Sequence, residues 1–222
     1  MLNIKNCPFC NEISGINSQY SNLVKENTGL PGNRILHVGK HWFIVPSIGA
    51  IAPGYLLFVS KRHHLSVAEC EIEEIVELEG LINITRDFLE KAYQLPCVLF
   101  EHGGTENLEC SPASVDHCHI HIVPFEGDLM VADDNRKIIP IGRLCDIGRY
   151  VKFPQSYLFY QSNQRENYLI LRDEYPSQYF RKILASQLRE KERWDWRSSP
   201  LLPTFIETYD FLKKLKFEEA FK

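Results

Sequence analysis

Short apolar or alternating segments dominate the first half of the chain, and turn residues separate them. Gly39 and Lys40 lie between the first two segments, which predicts a β-hairpin, and Pro53 with Gly54 marks the next turn. A period of two places successive side chains on opposite faces of a strand. The predicted strands cover residues 34–38, 42–46, 55–60, 97–101 and 117–125.

A longer segment before the fourth strand has apolar residues at helical spacing and ends near Tyr93. Ser66 and Glu69 have the spacing of a capping box at its start. The order β-β-β-α-β-β, with short connections before the helix, predicts an antiparallel α+β domain in residues 1–130. The apolar helix positions are Ile72, Ile75, Val76, Ile82, Phe88 and Leu89.

Residues 131–222 form a C-terminal extension of different character. Residues 156–161 and 167–171 predict a second hairpin, with the turn at residues 162–166. Two helical patterns follow, around residues 179–188 and 205–215. The extension is therefore predicted to be a hairpin followed by helices.

Charge is distributed unevenly along the chain. Residues 1–139 carry 10 Lys and Arg against 18 Asp and Glu, whereas residues 140–222 carry 15 against 11. The basic C-terminal part favours an anionic ligand or contact with the acidic front half, and solvated helix faces explain it equally well. The net charge of −4 is too modest and too dispersed to indicate a nucleic acid partner.

Location is predicted from apolar runs and cysteines. No stretch is apolar enough for a membrane helix, and residues 1–10 lack the charged start and apolar run of a signal peptide. The seven cysteines are an odd set, scattered apart from one close pair. A reducing cytoplasmic location fits this set better than a disulfide framework.

Three histidines alternate with apolar residues in the fifth predicted strand. His117, His119 and His121 should therefore share one face of the strand. Three imidazoles on one face are hard to explain by packing, because each would need its own polar partners if buried. Such a row supports either attack of one imidazole on a phosphorus centre or coordination of a catalytic zinc by all three. The spacing alone leaves both readings open.

Two segments resemble motifs of the histidine-triad (HIT) family. Residues 114–124 resemble the motif His-φ-His-φ-His-φ-φ, in which φ is apolar. Residues 53–63 resemble the family's PGHxLφφPKxH segment. The two motifs occur in the family's order with a helix between them, and the resemblance covers residues 1–130. It implies a nucleotide hydrolase or nucleotidyltransferase and a homodimer.

The resemblance also implies roles for single residues. His119 is the nucleophile that forms a covalent nucleotidyl-histidine at the α-phosphate, and His121 contacts the phosphate oxygens. His117 supports the nucleophile, and Ser114 aligns with a serine near the phosphate. Transfer to water, phosphate or an alcohol would make the enzyme a hydrolase, a phosphorylase or a transferase.

A structural zinc site is the second implication of the resemblance. Some family members carry an N-terminal CxxC pair, here Cys7 and Cys10, whose zinc is completed by two histidines. Those positions are His63 and His117 in this sequence, and His64 is the competing ligand. A Cys₂His₂ set suits a closed tetrahedral zinc site.

The nucleoside-binding positions depart from the family's pattern. Ser47 stands where the family often has an aspartate that binds ribose hydroxyls, and Tyr55 replaces the usual histidine after Pro-Gly. Ser60 replaces the proline before Lys61. The triad strand is therefore intact while the nucleoside pocket is altered, and the sequence leaves the base and sugar preferences open.

The extension offers two arginines near aromatic residues. We expect the segments 176–182 and 194–197 to border the triad pocket, with Arg181 or Arg197 binding phosphate. The alternative is that the extension only buries one face of the sheet or enlarges a dimer contact. A zinc-dependent hydrolase and a non-catalytic nucleotide-binding protein are the rival functions.

Overall fold

The structure, a computed structural model, describes residues 7–15, 19–28, 34–104, 115–130, 137–152, 155–171 and 176–222. Ser114, one of the predicted site residues, lies outside these ranges.

Within these ranges, eight strands form one antiparallel sheet in the order β1-β2-β3-β5-β4-β7-β8-β6. The strands are β1 His37–Val38, β2 Trp42–Pro46, β3 Leu56–Ser60, β4 Cys97–Gly103, β5 His119–Pro124, β6 Lys137–Ile141, β7 Tyr157–Gln161 and β8 Asn167–Leu171. The five predicted strands and the predicted β7–β8 hairpin are confirmed. β6 was not predicted, since its five residues include Pro140 and form a mostly exposed edge.

The described residues include the α-helices α1 Pro8–Ile13, α2 Gln19–Thr28, α3 Ile72–Tyr93, α4 Ile147–Tyr150, α5 Tyr179–Gln187 and α6 Leu202–Lys214. The long helix and its end at Tyr93 are confirmed, as are the two helical patterns of the extension. Helices α1 and α2 were not predicted, because they lie in a polar segment without a clear apolar stripe. None of the helices in the described parts of the chain is long and apolar enough to cross a bilayer.

The predicted capping box at the start of α3 is wrong by one turn. Ser66 precedes a short 3-10 turn, Val67–Glu69, and its side chain caps nothing. The capping box is formed instead by Glu71 and Glu74, so that α3 begins at Ile72. The carboxylate of Glu69 accepts a hydrogen bond from the backbone N–H of Leu65, the residue before Ser66.

The apolar positions of α3 are not all buried. Ile72 and Val76 are each 53% exposed, whereas Ile75, Ile82 and Leu89 are buried. Only the stripe that faces the sheet is covered, and positions on its flank remain in water.

Both faces of the sheet carry an apolar layer. The layer against α3 includes Phe58, Ile120 and Ile122. The opposite layer includes Val59 and Phe100 together with residues of α1, α5 and α6. Since His119 and His121 alternate with Ile120 and Ile122 along β5, their side chains lie on this second face.

The sheet continues without interruption from the front half into the extension. Strand β4 pairs with β5 on one side and with β7 on the other. Strands β6, β7 and β8 therefore extend the sheet that contains the histidine motif, and β7 of the extension lies next to β4.

Candidate active site and metal-binding cluster

Four residues from three parts of the chain meet at the start of β5. Cys7 and Cys10 lie one turn apart at the beginning of α1, where Pro8 occupies the first helical position. His63 follows β3 and His117 precedes β5, and these two strands are antiparallel neighbours. The ligand atoms of the four residues all lie within 4.8 Å of one another.

The closest contacts in this cluster join sulfur to imidazole nitrogen. Cys7 Sγ lies 3.4 Å from His117 Nδ1, and Cys10 Sγ lies 3.2 Å from His63 Nδ1. His64, the competing ligand, lies elsewhere, because its Nε2 is 3.1 Å from a carboxylate oxygen of Glu74. The described residues therefore bring together the predicted set, which could hold a metal ion.

Hydrogen bonding leaves one nitrogen of His117 free for a ligand. Its Nε2 donates to the backbone carbonyl of Ser60 at 2.7 Å, so Nδ1, which faces the two cysteines, carries the lone pair. Burial lowers the pKa of His117 to about 3, which keeps the imidazole neutral. Burial and the neighbouring Cys7 sulfur raise the pKa of Cys10 to about 12. A bound cation would supply the positive charge that the thiolates of buried Cys7 and half-buried Cys10 need.

His119 has the reverse hydrogen bonding. Its Nδ1 donates to the backbone carbonyl of His117 at 2.6 Å, which leaves the lone pair on Nε2. Its imidazole is buried, and burial lowers its pKa to about 4. Phe9 of α1 packs against it with a distance of 5.4 Å between the ring centroids. His119 is thus a neutral imidazole with an available nucleophilic nitrogen.

His121 lies beside His119, with 4.9 Å between their ring centroids. Its Nδ1 is 2.8 Å from the hydroxyl of Tyr55, which in turn accepts a hydrogen bond from Arg181 at 3.3 Å. Its Nε2 is buried and has no hydrogen-bond partner among the described residues. Phe100 stacks on the imidazole at 4.5 Å, which fixes its plane.

A small cavity with a volume of about 30 Å³ lies over His119 and His121. Ser47, predicted to bind substrate, lines it and is buried. The hydroxyl of Ser47 donates to the carbonyl of Ile48 at 3.1 Å. The lining consists of Phe9, Arg34, Ser47, Ile48, Leu57, Val115, His119, His121, Arg181 and Trp196.

Arg181 brings a buried positive charge to this cavity. Its side chain donates to the carbonyl oxygens of Trp194 and Gly49 at 2.8 and 2.7 Å, in addition to Tyr55. No carboxylate forms an ion pair with it in the described part of the chain. A buried guanidinium held by neutral groups retains its full attraction for an anion.

Arg197 lies outside the lining of the cavity. Its guanidinium is half exposed and lies 4.0 Å from the carboxylate of Asp195. Arg181 and Arg197, which looked equivalent in the sequence, therefore have different environments.

Sequence reasoning missed Arg34 and the role of Tyr55. Arg34 is 1% exposed, and its guanidinium binds both carboxylate oxygens of Glu12 in α1 at 2.8 and 2.9 Å. It thereby joins α1 to the cavity wall, and no local sequence pattern predicts that contact. The sequence did mark Tyr55 as unusual, since it stands where the HIT motif has histidine.

The three triad histidines do not share one ligand-binding arrangement. Strand β5 begins at His119, so His117 lies before it and turns to the cysteines. The described residues contain no potential metal-ligand group that joins His117, His119 and His121. The three imidazoles instead have three separate sets of partners.

The sequence matches no protein-family model and no curated protein. The structure is similar to the crystal structure of a member of the HIT family from Bacillus subtilis, with 21% identity, a TM-score of 0.41, and coverage of 55% of this chain and 74% of that chain. It is similar to a hypothetical histidine triad nucleotide-binding protein from Sulfolobus tokodaii, with 14% identity, a TM-score of 0.37, and coverage of 86% and 91%. It is also similar to yeast Ap4A phosphorylase in complex with AMP, with 10% identity, a TM-score of 0.40, and coverage of 68% and 63%. The likeness of this chain to structures of HIT proteins concerns the fold.

Proposed function

We propose that the protein is a nucleotide hydrolase or nucleotidyltransferase that forms a covalent nucleotidyl intermediate on His119. The observation that carries this proposal is the hydrogen bond from His119 Nδ1 to the carbonyl of His117, which leaves the Nε2 lone pair available beside the cavity. A neutral imidazole is a competent nucleophile toward phosphorus.

The reaction has two steps. In the first, His119 Nε2 bonds to the α-phosphorus, and the bond from phosphorus to the leaving group breaks with its electron pair. In the second, an acceptor oxygen attacks phosphorus, the P–N bond breaks, and its electron pair returns to Nε2. When water is the acceptor, its proton passes to solvent.

The groups around His119 suit a phosphate that carries negative charge. Among the described residues, His121 Nε2 has no hydrogen-bond partner, and Arg181 supplies positive charge in the same lining, whereas the charge of Arg34 is balanced by Glu12. Preorganised donors in a site that excludes water stabilise charge that develops in a transition state. Ser47 is proposed to contact the substrate, and Ser114 is proposed to donate to a phosphate or leaving-group oxygen.

The cavity is too small to hold a nucleotide in this structure. A volume of about 30 Å³ holds little more than water, whereas pockets for small ligands have at least about 300 Å³. Nucleotide binding therefore requires movement of residues that cover the cavity, such as Phe9 of α1 or Trp196 of the extension. Closure after binding would keep water from the intermediate and favour another acceptor.

The cluster of Cys7, Cys10, His63 and His117 is proposed to hold a structural zinc ion. Ligand atoms of tetrahedral zinc, with bonds of about 2.3 Å to sulfur and 2.0 Å to nitrogen, lie about 3.5 Å apart. The sulfur–nitrogen distances of 3.2 to 3.5 Å agree with that spacing. A zinc there would fasten α1 to the start of β5 and leave His117 no part in proton transfer.

The experiment is a screen of dinucleoside polyphosphates, nucleotide sugars and nucleoside phosphoramidates, read by the mass of the products. His119→Ala should abolish turnover while the fold persists, and mass spectrometry of trapped wild-type protein should place the nucleotidyl group on His119. His37→Ala is the matched control, because His37 stacks on Phe221 at the edge of the sheet. Turnover by His119→Ala at the wild-type rate, or a label on another residue, would overturn the mechanism.

The proposal also includes a homodimer, which size-exclusion chromatography with light scattering tests directly. The rival functions give different results in the same screen. Nucleotide binding without turnover would favour a non-catalytic binding protein. A catalytic zinc would make activity disappear as the metal is removed, with the fold intact.

A further inference from the structure

Tyr55 and Arg181 connect the extension to the last triad histidine. Arg181 lies in α5, Tyr55 lies immediately before β3, and His121 lies in β5. The chain of contacts runs from Arg181 Nη1 to Tyr55 Oη at 3.3 Å, and from Tyr55 Oη to His121 Nδ1 at 2.8 Å. All three side chains are buried.

The direction of these hydrogen bonds follows from the donor capacity of arginine. A guanidinium only donates, so the oxygen of Tyr55 accepts from Arg181. The hydroxyl hydrogen of Tyr55 then points to its other partner, His121 Nδ1, which must accept. A neutral imidazole that accepts at Nδ1 carries its hydrogen on Nε2.

We propose that Tyr55 and Arg181 are positioning residues that hold His121 with its hydrogen on Nε2, so that His121 donates to the phosphate. The proposal rests on the proposed function only for the identity of the acceptor. The buried Nε2 of His121, which has no acceptor among the described residues, is then a donor available to an anion.

The neighbouring histidine has the opposite tautomer. His119 donates from Nδ1 to a carbonyl and presents the lone pair of Nε2. One imidazole is thereby set as nucleophile and the next as hydrogen-bond donor, although both lie on the same face of β5. An exchange of the two tautomers would place a hydrogen on the attacking nitrogen and a lone pair toward the phosphate oxygens.

Several contacts keep Arg181 and Tyr55 in place. Arg181 is anchored by the carbonyls of Gly49 and Trp194. The start of α5 is held to β4, because His102 Nε2 accepts the backbone N–H of Phe180 at 3.1 Å. The extension thus contributes through Tyr55 to the hydrogen bonding of His121.

The test measures the tautomer without any substrate. Nitrogen-15 NMR of histidine-labelled wild-type protein should show His121 with a protonated Nε2 and an unprotonated Nδ1. Tyr55→Phe keeps the ring and removes only the hydroxyl, so the shifts of both His121 nitrogens should move toward a mixture of tautomers. Tyr160→Phe is the control, because it removes another buried tyrosine hydroxyl, bonded to Asp128 and Leu129, away from His121.

Kinetics give the second readout. With a substrate from the screen, Tyr55→Phe should lower kcat on the order of tenfold with little change in KM, since a donor to the phosphate matters most in the transition state. Arg181→Lys retains the positive charge but loses the planar set of N–H donors of the guanidinium. It should therefore shift the nitrogen-15 signals of His121 as well.

The outcomes separate this proposal from the proposed function. A wild-type His121 protonated at Nδ1, or nitrogen signals unchanged in Tyr55→Phe, would overturn it even if the enzyme turns over nucleotides. The expected tautomer with no turnover of any nucleotide would support the positioning role and overturn the proposed function instead.

Discussion

The Nδ1 atom of His119 lies 2.6 Å from the backbone carbonyl oxygen of His117, whose own imidazole points to Cys7 and Cys10. The residue that belongs to the candidate metal-binding cluster is therefore the residue that orients the proposed nucleophile. Phe9 strengthens this link, since it packs against both imidazoles at about 5.5 Å. Loss of order in the cluster is expected to reach His119 through the backbone of His117.

Metal content is the first prediction. Purified protein should contain about one zinc per chain, and Cys7→Ser should lower both zinc content and the free energy of unfolding, because metal binding energy is folding energy. Elemental analysis and chemical denaturation measure the two effects. Cys145→Ser is the control, because Cys145 is half-buried and belongs to neither potential metal-ligand group of the described residues. A metal-free wild-type protein that is fully stable would contradict the zinc site.

Substitutions of Arg181 and Arg197 should differ in their effects on catalysis. Arg181→Lys should lower kcat/KM by about tenfold to a hundredfold, which corresponds to loss of one charge-assisted hydrogen bond of about 1.5–3 kcal/mol. Arg197→Ala should leave kcat/KM nearly unchanged, because Arg197 is half exposed and outside the cavity lining. Steady-state kinetics compare the two variants. Equal losses of kcat/KM in both would contradict a role in catalysis that is particular to Arg181.

The stability of the protein should depend on the ionisation of Glu101. This carboxyl is buried behind the triad strand, and burial raises its pKa from 4.5 to about 7. The folded state thus holds the proton more tightly than the unfolded state, so the contribution to stability is fully present below about pH 4.5 and is lost as the pH rises toward 7. The shift corresponds to about 3 kcal/mol across this window.

Glu101→Gln tests this prediction, because it removes the ionisation. The free energy of unfolding of wild type relative to Glu101→Gln should fall between pH 4.5 and pH 7 and level off above. Urea unfolding at a series of pH values measures it. Glu126→Gln, at an exposed carboxyl, should give no such trend relative to wild type, and a flat difference for Glu101→Gln would refute the buried ionisation.

Gly49 is expected to be essential for the packing of the extension over the cavity. It has a φ of 72°, and an added Cβ would lie 2.5 Å from the Cβ of Trp196. Gly49→Ala should therefore lower the free energy of unfolding by more than about 1 kcal/mol. Gly80→Ala is the control: Gly80 lies in α3 with nothing within 4 Å of the added Cβ, so alanine should stabilise the protein slightly.

Urea unfolding of the two glycine variants gives the comparison. Similar small effects in both would mean that the segment around Trp196 adjusts easily to a side chain at Gly49. A large loss in Gly49→Ala would agree with a tightly fitted cover over the cavity.

Local pattern was sufficient for most strands and for the length of the long helix, because apolar periodicity reports which face of an element is buried. It was not sufficient for the capping box of α3, since the Glu71–Glu74 pair competes with Ser66 and Glu69 at the same spacing. Local pattern also failed to predict helices α1 and α2. Their polar residues carry no stripe, and their contacts with the sheet are tertiary.

The sequence by itself determined the chemistry that is available: a row of three histidines at period two, a CxxC pair, and the motif spacing that selected His63 over His64. Only the tertiary structure decided which partners and which hydrogen-bonding state each of the three imidazoles has. His117 turns to the cysteines because β5 begins after it, and His119 and His121 acquire opposite hydrogen-bonding states from a carbonyl and a tyrosine. Arg181 reaches that tyrosine from 126 residues away along the chain. Hydrogen-bond direction and burial depend on neighbours that are distant in sequence, and no local pattern encodes them.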